Sequence, residues 1–459
     1  MIDAAAGGAL GRQSGAPAGY LALDATRWWQ WLVIAGCTLV ALLIRLYYVE
    51  TTVIDGPIRG DAIAYFAYAT NLVEHGVFSS AQPGTEILPD SYRDPAYPLL
   101  VSILMRLSGE GAWYPVLLRV QAVLGAATVG LALLFGRRWM SAPWLAAAGL
   151  LMALWPHSIT ITSYILTETL AGFLSVAWLW LLSATGRRWQ GALASGVLAG
   201  AAGLTNAVLL PAAAVVALTL WVTRKAGRET ALALLAGSLL LPGAWAIRGM
   251  GLDIDGTVTS TSSGRASQNL VQGSWPEYHD SWRHCIFGST EACSVQGRIE
   301  DEISHLHADP AGGLSVMMGR MAADPLRYAA WYASKPALLW GWSIRMGQGD
   351  VFVYRALASP YRSNGFFRAT SAIAYSLNSW LFAFAAALCV GVAFRWRVTM
   401  PDVVALAAFL LYVTGVYWVF QSEPRYSIPF RSLEILASIS ALMIMSGWVR
   451  ARRQVATTQ

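Results

Sequence analysis

Charge, and lysine above all, is what this sequence has least of. Charged residues make up 13% of its 459 positions, whereas soluble domains carry about a quarter, so a set of ordinary soluble domains is excluded. Lysine occurs only at Lys225 and Lys335, and arginine supplies almost all the rest of the positive charge. Those arginines stand singly at the ends of apolar runs. They form no basic face, which excludes nucleic acid as a partner. Cysteine is scarce too. Cys37 and Cys389 fall inside apolar runs and read as packing residues. His279, His284, His305 and His307 stand at no established ligand spacing from Cys285 and Cys293, which counts against zinc. Residues 1–26 lack the charged start, short apolar stretch and cleavage site of a signal peptide.

What the chain has instead is long apolar runs. Apolar residues make up 56% of it, and mean hydropathy is +0.48, as for a chain solvated mostly by lipid. Crossing about 30 Å of hydrocarbon takes about 20 apolar residues. Windows of that size predict an all-α polytopic membrane protein with about ten transmembrane helices. They are Trp28–Tyr48, Tyr114–Phe135, Ala142–Trp155, Ser158–Leu182, Gln190–Leu204, Ala207–Val222, Thr230–Ile247, Thr370–Phe394, Val403–Phe420 and Tyr426–Trp448. Basic residues follow alternate spans: Arg137 and Arg138, Arg187 and Arg188, Arg224 to Arg228, Arg395 and Arg397, and Arg450 to Arg453. All fall on one side if both termini are cytoplasmic. The division expected is a tail 1–27, a membrane core 28–248 holding a first outer loop 50–113, a second outer segment 249–368, final spans 369–448 and a tail 449–459. Both outer segments are expected to be periplasmic and to carry surface helices. Tyr328–Ile344, apolar but interrupted by Lys335-Pro336, is expected to be one of them. An oxidising compartment there favours a Cys285–Cys293 disulfide.

Polar residues collect at span ends and in these two segments. That pattern points to a site at the outer membrane surface. It disfavours a transporter or lipid flippase, which needs polar groups at mid-membrane and often inverted repeats. Asp61 follows Arg59-Gly60 and opens a helical pattern, so it is either a helix cap or a rigidly held catalytic base. Arg93 precedes Asp94-Pro95-Ala96-Tyr97-Pro98 and an amphipathic stretch reaching Leu107. Its guanidinium suits either one bound phosphate or lipid headgroups in general. Glu168, placed within the fourth span, is either neutral and hydrogen-bonded or paired with a cation from elsewhere. Arg248, Glu423 and Arg425 emerge at outer span ends, and Arg431 is spaced to pair with Glu434.

In chain order these pieces resemble the C-type glycosyltransferases, in the branch of protein O-mannosyltransferases and lipid A aminoarabinose transferases. The resemblance runs from Arg59 to Pro429. It rests on Asp61, Pro95-Ala-Tyr-Pro98, Pro156 with Leu166-Thr-Glu168, Gly203-Leu-Thr ahead of Pro211, Pro242-Gly-Ala-Trp-Ala-Ile-Arg248 and Glu423-Pro-Arg-Tyr426. It implies an enzyme that moves a sugar from a polyprenyl-phosphate carrier to an acceptor outside a bacterial inner membrane. Sugar and acceptor stay open, and membrane lipids are the surroundings. By resemblance Asp61 is the catalytic aspartate, and Arg93, Arg425 and Arg248 face the carrier phosphate. Arg59, Glu168, Tyr97, Glu423 and Tyr426 support them. Ala62 stands where many relatives have a second acid, and Asn206 where relatives often have arginine. The first departure argues against a metal in the first loop, although a divalent cation stays open as cofactor.

Overall fold

The apolar run beginning at Trp28 folds as the 25-residue helix α1 (Arg27–Thr51), the first element of an almost wholly helical chain. The computed structural model describes residues 27–109, 111–252, 262–395 and 399–457. The expected tail 1–27, save its last residue, and Arg397 lie outside them.

After α1 comes the short strand β1 (Val53–Ile54), then α2 (Asp61–Glu74) and α3 (Ala96–Ser108). The membrane core continues with α4 (Trp113–Gly136), α5 (Ala142–Leu154), the single turn α6 (Pro156–Thr160), α7 (Glu168–Ala184), α8 (Trp189–Gly203), α9 (Ala212–Val222) and α10 (Arg228–Met250). The second long segment folds as α11 (Ser262–Ser274), α12 (Tyr278–Ile286), α13 (Thr290–Ala308), α14 (Pro310–Ala323) and α15 (Pro325–Leu339). Strand β2 (Ala356–Ala358) and the short α16 (Pro360–Ser363) lead to α17 (Gly365–Arg395), α18 (Pro401–Val419) and α19 (Arg431–Thr457). β2 pairs antiparallel with β1, so the two long segments are tied at their edges.

The chain is an all-α membrane protein, as expected. Among the described residues six helices are long and apolar enough to cross: α1, α4, α10, α17, α18 and α19 with the turn before it. A seventh results if α5 and the turn after it, bent by 54°, count as one span. The helices α7, α8 and α9 have 17, 15 and 11 residues. At about 1.5 Å per residue they reach roughly 26, 22 and 16 Å, and α7 stands at the short end of the range that crosses a bilayer.

The largest correction concerns Ser158–Leu182. It is not one helix. After α6 the chain makes a tight turn at Ile161–Ser163 and runs through residues 164–167 before α7 starts at Glu168. The break is stabilised from α4, where the Gln121 amide donates to the carbonyl oxygens of Thr162 (3.0 Å) and Tyr164 (2.9 Å). Those acceptors would be costly to bury unpaired. A hydropathy window cannot register such a break, because the broken stretch is as apolar as a helix.

Close packing of small residues joins α8 and α10. A Cβ on Gly196 would lie 2.3 Å from the Leu234 carbonyl oxygen. Arg138 Nε (2.9 Å) and Arg187 Nη1 (2.7 Å) converge on Asp402 at the start of α18. The other end of α18, about 28 Å away at 1.5 Å per residue, borders the site described below. Two of the basic residues used to orient the chain therefore lie at the end opposite the site.

α15 runs through Pro336 and stops at Leu339, short of a span, as expected for a surface element. Lys335 within it is fully buried. Its ammonium donates to the carbonyl oxygens of Gly273 (2.9 Å), Val419 (3.2 Å) and Phe420 (2.6 Å). A cation at the C-terminal carbonyls of α18 complements the helix dipole and fixes α11, α15 and α18 to one another. Helices α11 to α13 pack around a small core of their own that includes Val271, Trp275, Ile299 and Ile303, and the Cys285–Cys293 disulfide joins α12 to α13. Arg431 and Glu434 pair at 2.8 Å, and Cys37 and Cys389 are buried thiols.

His279 of α12 docks this segment on the core, its Nε2 2.8 Å from the Ser422 carbonyl oxygen. Burial keeps the imidazole neutral and lowers its pKa to about 4. An unfolded chain takes up that proton near pH 6.5, so the folded state is fully favoured above about pH 6.5 and loses about 3 kcal/mol as pH falls to 4. Thermal melts between pH 7 and pH 4.5 are expected to show this loss, and His279→Asn to flatten it. An equal slope in both proteins would assign the acid sensitivity elsewhere.

Candidate active site

The site is built at the start of α2. Gly60 turns the chain with φ 55°, a conformation that suits glycine, and a Cβ there would approach the Tyr354 hydroxyl at 3.0 Å. This turn aims Asp61 inward as the first residue of α2. Its Oδ1 accepts from Arg93 Nη2 at 2.9 Å, and its Oδ2 from Arg425 Nη2, also at 2.9 Å. Arg425 comes from the turn Pro424–Phe430 ahead of α19, and its Nε donates to Glu168 Oε1 at 2.5 Å. Four residues from four separate stretches thus form one chain: Arg93, Asp61, Arg425, Glu168. Side-chain exposure along it is 18% at Arg93, 33% at Asp61, 14% at Arg425 and 6% at Glu168. Its most open member is the Asp61 carboxylate, and its closed end is the acid at the start of α7.

Burial acts to raise the proton affinity of Asp61, but the fields and hydrogen bonds of Arg425 and Arg93 outweigh it. The carboxyl is held well below the usual carboxylate range and is ionised at any physiological pH. Aromatic rings wall the site. The Arg93 guanidinium lies over Tyr65 (5.3 Å) and Tyr92 (5.4 Å), and Tyr426 stacks on Tyr417 (5.3 Å). Burial raises the Tyr354 hydroxyl to about 12, so it stays protonated beside this cluster.

Other expected residues fall around it. Arg59 donates to the Asp55 carbonyl oxygen (3.3 Å) and lies over Tyr354. Tyr97 is fully buried beneath, its hydroxyl 3.1 Å from Gln121 Oε1. Glu423 accepts from the Met346 amide (3.1 Å), which ties the second segment to the turn that carries Arg425. Arg248 is not brought to Asp61. It donates to the Asp90 carbonyl oxygen (3.1 Å) and lies on Trp245 (4.4 Å), holding the loop between α2 and α3. The reason is positional, since α10 ends beside that loop. Glu168 is corrected as well, from mid-span to the first residue of α7.

Sequence reasoning missed Arg265 on α11. Its Nη2 lies 2.8 Å from both carboxylate oxygens of Asp94, the neighbour of Arg93. Tyr92 adds a hydrogen bond to Gln268 at 3.1 Å. The second segment thereby clamps the loop that positions Arg93. No spacing in the sequence links residues 171 apart.

A divalent cation does not fit these residues. Both Asp61 oxygens are taken by guanidiniums, the next residue is Ala62, and among the described residues no group of three His, Cys, Asp or Glu side chains is placed to hold a metal.

No family model matches the sequence, and no curated protein does either. Solved structures do. The Archaeoglobus fulgidus oligosaccharyltransferase AglB, in complex with an inhibitory peptide and a dolichol-phosphate, is similar over 94% of this chain and 52% of its own, with TM-score 0.52 and 14% identity. The same organism's oligosaccharyltransferase in complex with zinc and sulfate matches over 93% and 50%, with TM-score 0.50 and 13% identity. The chain spans about half the length of these proteins. ArnT from Cupriavidus metallidurans bound to undecaprenyl phosphate covers 91% of this chain and 78% of its own at 15% identity, but its TM-score of 0.35 carries no weight. The likeness is one of fold: the chain shares its membrane fold with the Archaeoglobus fulgidus oligosaccharyltransferase.

Proposed function

We propose that this protein is a glycosyltransferase that moves a sugar from a polyprenyl-phosphate carrier to an acceptor at the outer face of a bacterial inner membrane. The observation that carries the reading is Asp61 held between Arg93 and Arg425 as the most exposed member of an ion-pair chain that ends at the buried Glu168. One carboxylate and two guanidiniums suit a displacement in which a proton is taken up and a phosphate leaves. The acceptor oxygen or nitrogen bonds to the anomeric carbon and its proton passes to Asp61. The bond from that carbon to the phosphate oxygen breaks, and the electron pair departs with the polyprenyl phosphate. Arg93 and Arg425 stabilise the charge that develops there. A single displacement inverts the anomeric centre. The basic cluster at the far end of α18 supports an orientation with both termini cytoplasmic and the site outside.

The test is to incubate purified protein with a panel of polyprenyl-phosphate sugars and follow release of the lipid phosphate. Release with one sugar, dependent on Asp61, is the expected result. Release with none across the panel and a broad set of acceptors would remove the reading.

A further inference from the structure

The arrangement that suggests the chemistry also conflicts with it. Each oxygen of Asp61 accepts a hydrogen bond from a guanidinium, both at 2.9 Å, so two positive charges stabilise the ionised carboxylate and lower its affinity for a proton. Held this way the carboxylate is a poor base. The same two arginines are those assigned to the carrier phosphate. A phosphate seated between Arg93 and Arg425 competes with Asp61 for their positive charge.

We infer that Asp61 and the carrier phosphate compete for Arg93 and Arg425, so that binding of the donor itself releases the base. The inference rests on the reading of the site given above. Arg93 retains a buried Nε–H without a partner among the described residues, so it has a second donor to turn toward a phosphate. Arg425 stays tethered through its Nε to Glu168 Oε1, so only its Nη2 end changes partner. Glu168 is thereby a positioning residue: it holds Arg425 in place while the Asp61 contact opens.

The exchange closes a cycle. With the donor bound, Asp61 is free to accept the acceptor's proton as the new glycosidic bond forms. When the lipid phosphate leaves, both guanidiniums return to Asp61, and their charge expels the proton to solvent. Acceptor entering before donor meets a base that is still occupied. The order is donor first, acceptor second.

The test reads binding alone. Undecaprenyl phosphate and undecaprenol are titrated into the purified full chain in detergent, wild type and Asp61→Asn. Removing the competing charge is expected to tighten undecaprenyl phosphate binding on the order of tenfold while leaving undecaprenol unchanged. Equal phosphate affinity in the two proteins overturns the exchange and leaves the transferase reading standing. A gain shared by undecaprenol also overturns it, since the effect then belongs to the polyprenyl tail. Failure of both proteins to bind the phosphate lipid overturns the donor reading and the exchange together. Should Asp61→Asn not fold, the wild type still answers. Its infrared carboxylate bands are expected to shift as undecaprenyl phosphate is added, and unchanged bands at saturation overturn the exchange.

Discussion

Asp61→Asn is expected to lower kcat by about 100- to 10,000-fold, the range that general base help supplies. The amide keeps the size of the carboxylate and leaves the start of α2 intact, so protein level and melting temperature are expected to change little. Arg425 retains Glu168 as its partner, and Arg93 retains the faces of Tyr65 and Tyr92. The substitution separates catalysis from donor binding, because it removes the proton acceptor and frees the guanidiniums in one step. Steady-state kinetics with the active lipid-linked sugar decide the matter. A kcat within a few-fold of wild type would take Asp61 out of the proton transfer.

Arg425→Gln is expected to act on both stability and turnover. Glu168 is buried, and the Arg425 Nε contact at 2.5 Å is the ion pair it makes. Leaving one member of a buried pair uncompensated costs about 3–5 kcal/mol. The deeper half of the site should therefore loosen, with a clear fall in melting temperature. Arg425→Gln combined with Glu168→Gln removes the stranded charge and is expected to recover most of the stability but none of the activity. This cycle separates the two roles of Arg425. If the double variant is no more stable than the single one, Glu168 is not the group that Arg425 neutralises.

How much of this was legible in the sequence can be judged residue by residue. Asp61 was marked by Gly60 before it and a helical pattern after it, because helix starts favour acids and their signal is local. Arg93 was marked by the prolines that follow it, and Arg425 by its place in a polar turn between two apolar runs. The Cys285–Cys293 link followed from the oxidising compartment expected for that segment. Glu168 was misplaced because hydropathy averaged over the stretch from Ser158 to Leu182 hides the break held open by Gln121. Arg248 shared its chemistry with Arg93 and Arg425 but not its neighbours. Arg265 carried no signal, since its partner Asp94 belongs to another segment.

The sequence by itself determined the solvent of this protein, the helical class of its fold and the residue types offered for chemistry. Composition and helix starts are sums over neighbours in the chain, so they can be read without coordinates. Tertiary structure alone decided that Asp61, Arg93, Glu168 and Arg425 share one hydrogen-bonded chain while Arg248 stands aside. That choice depends on how distant helices pack and where one of them breaks, and packing is a property of pairs of segments that no single stretch of sequence contains.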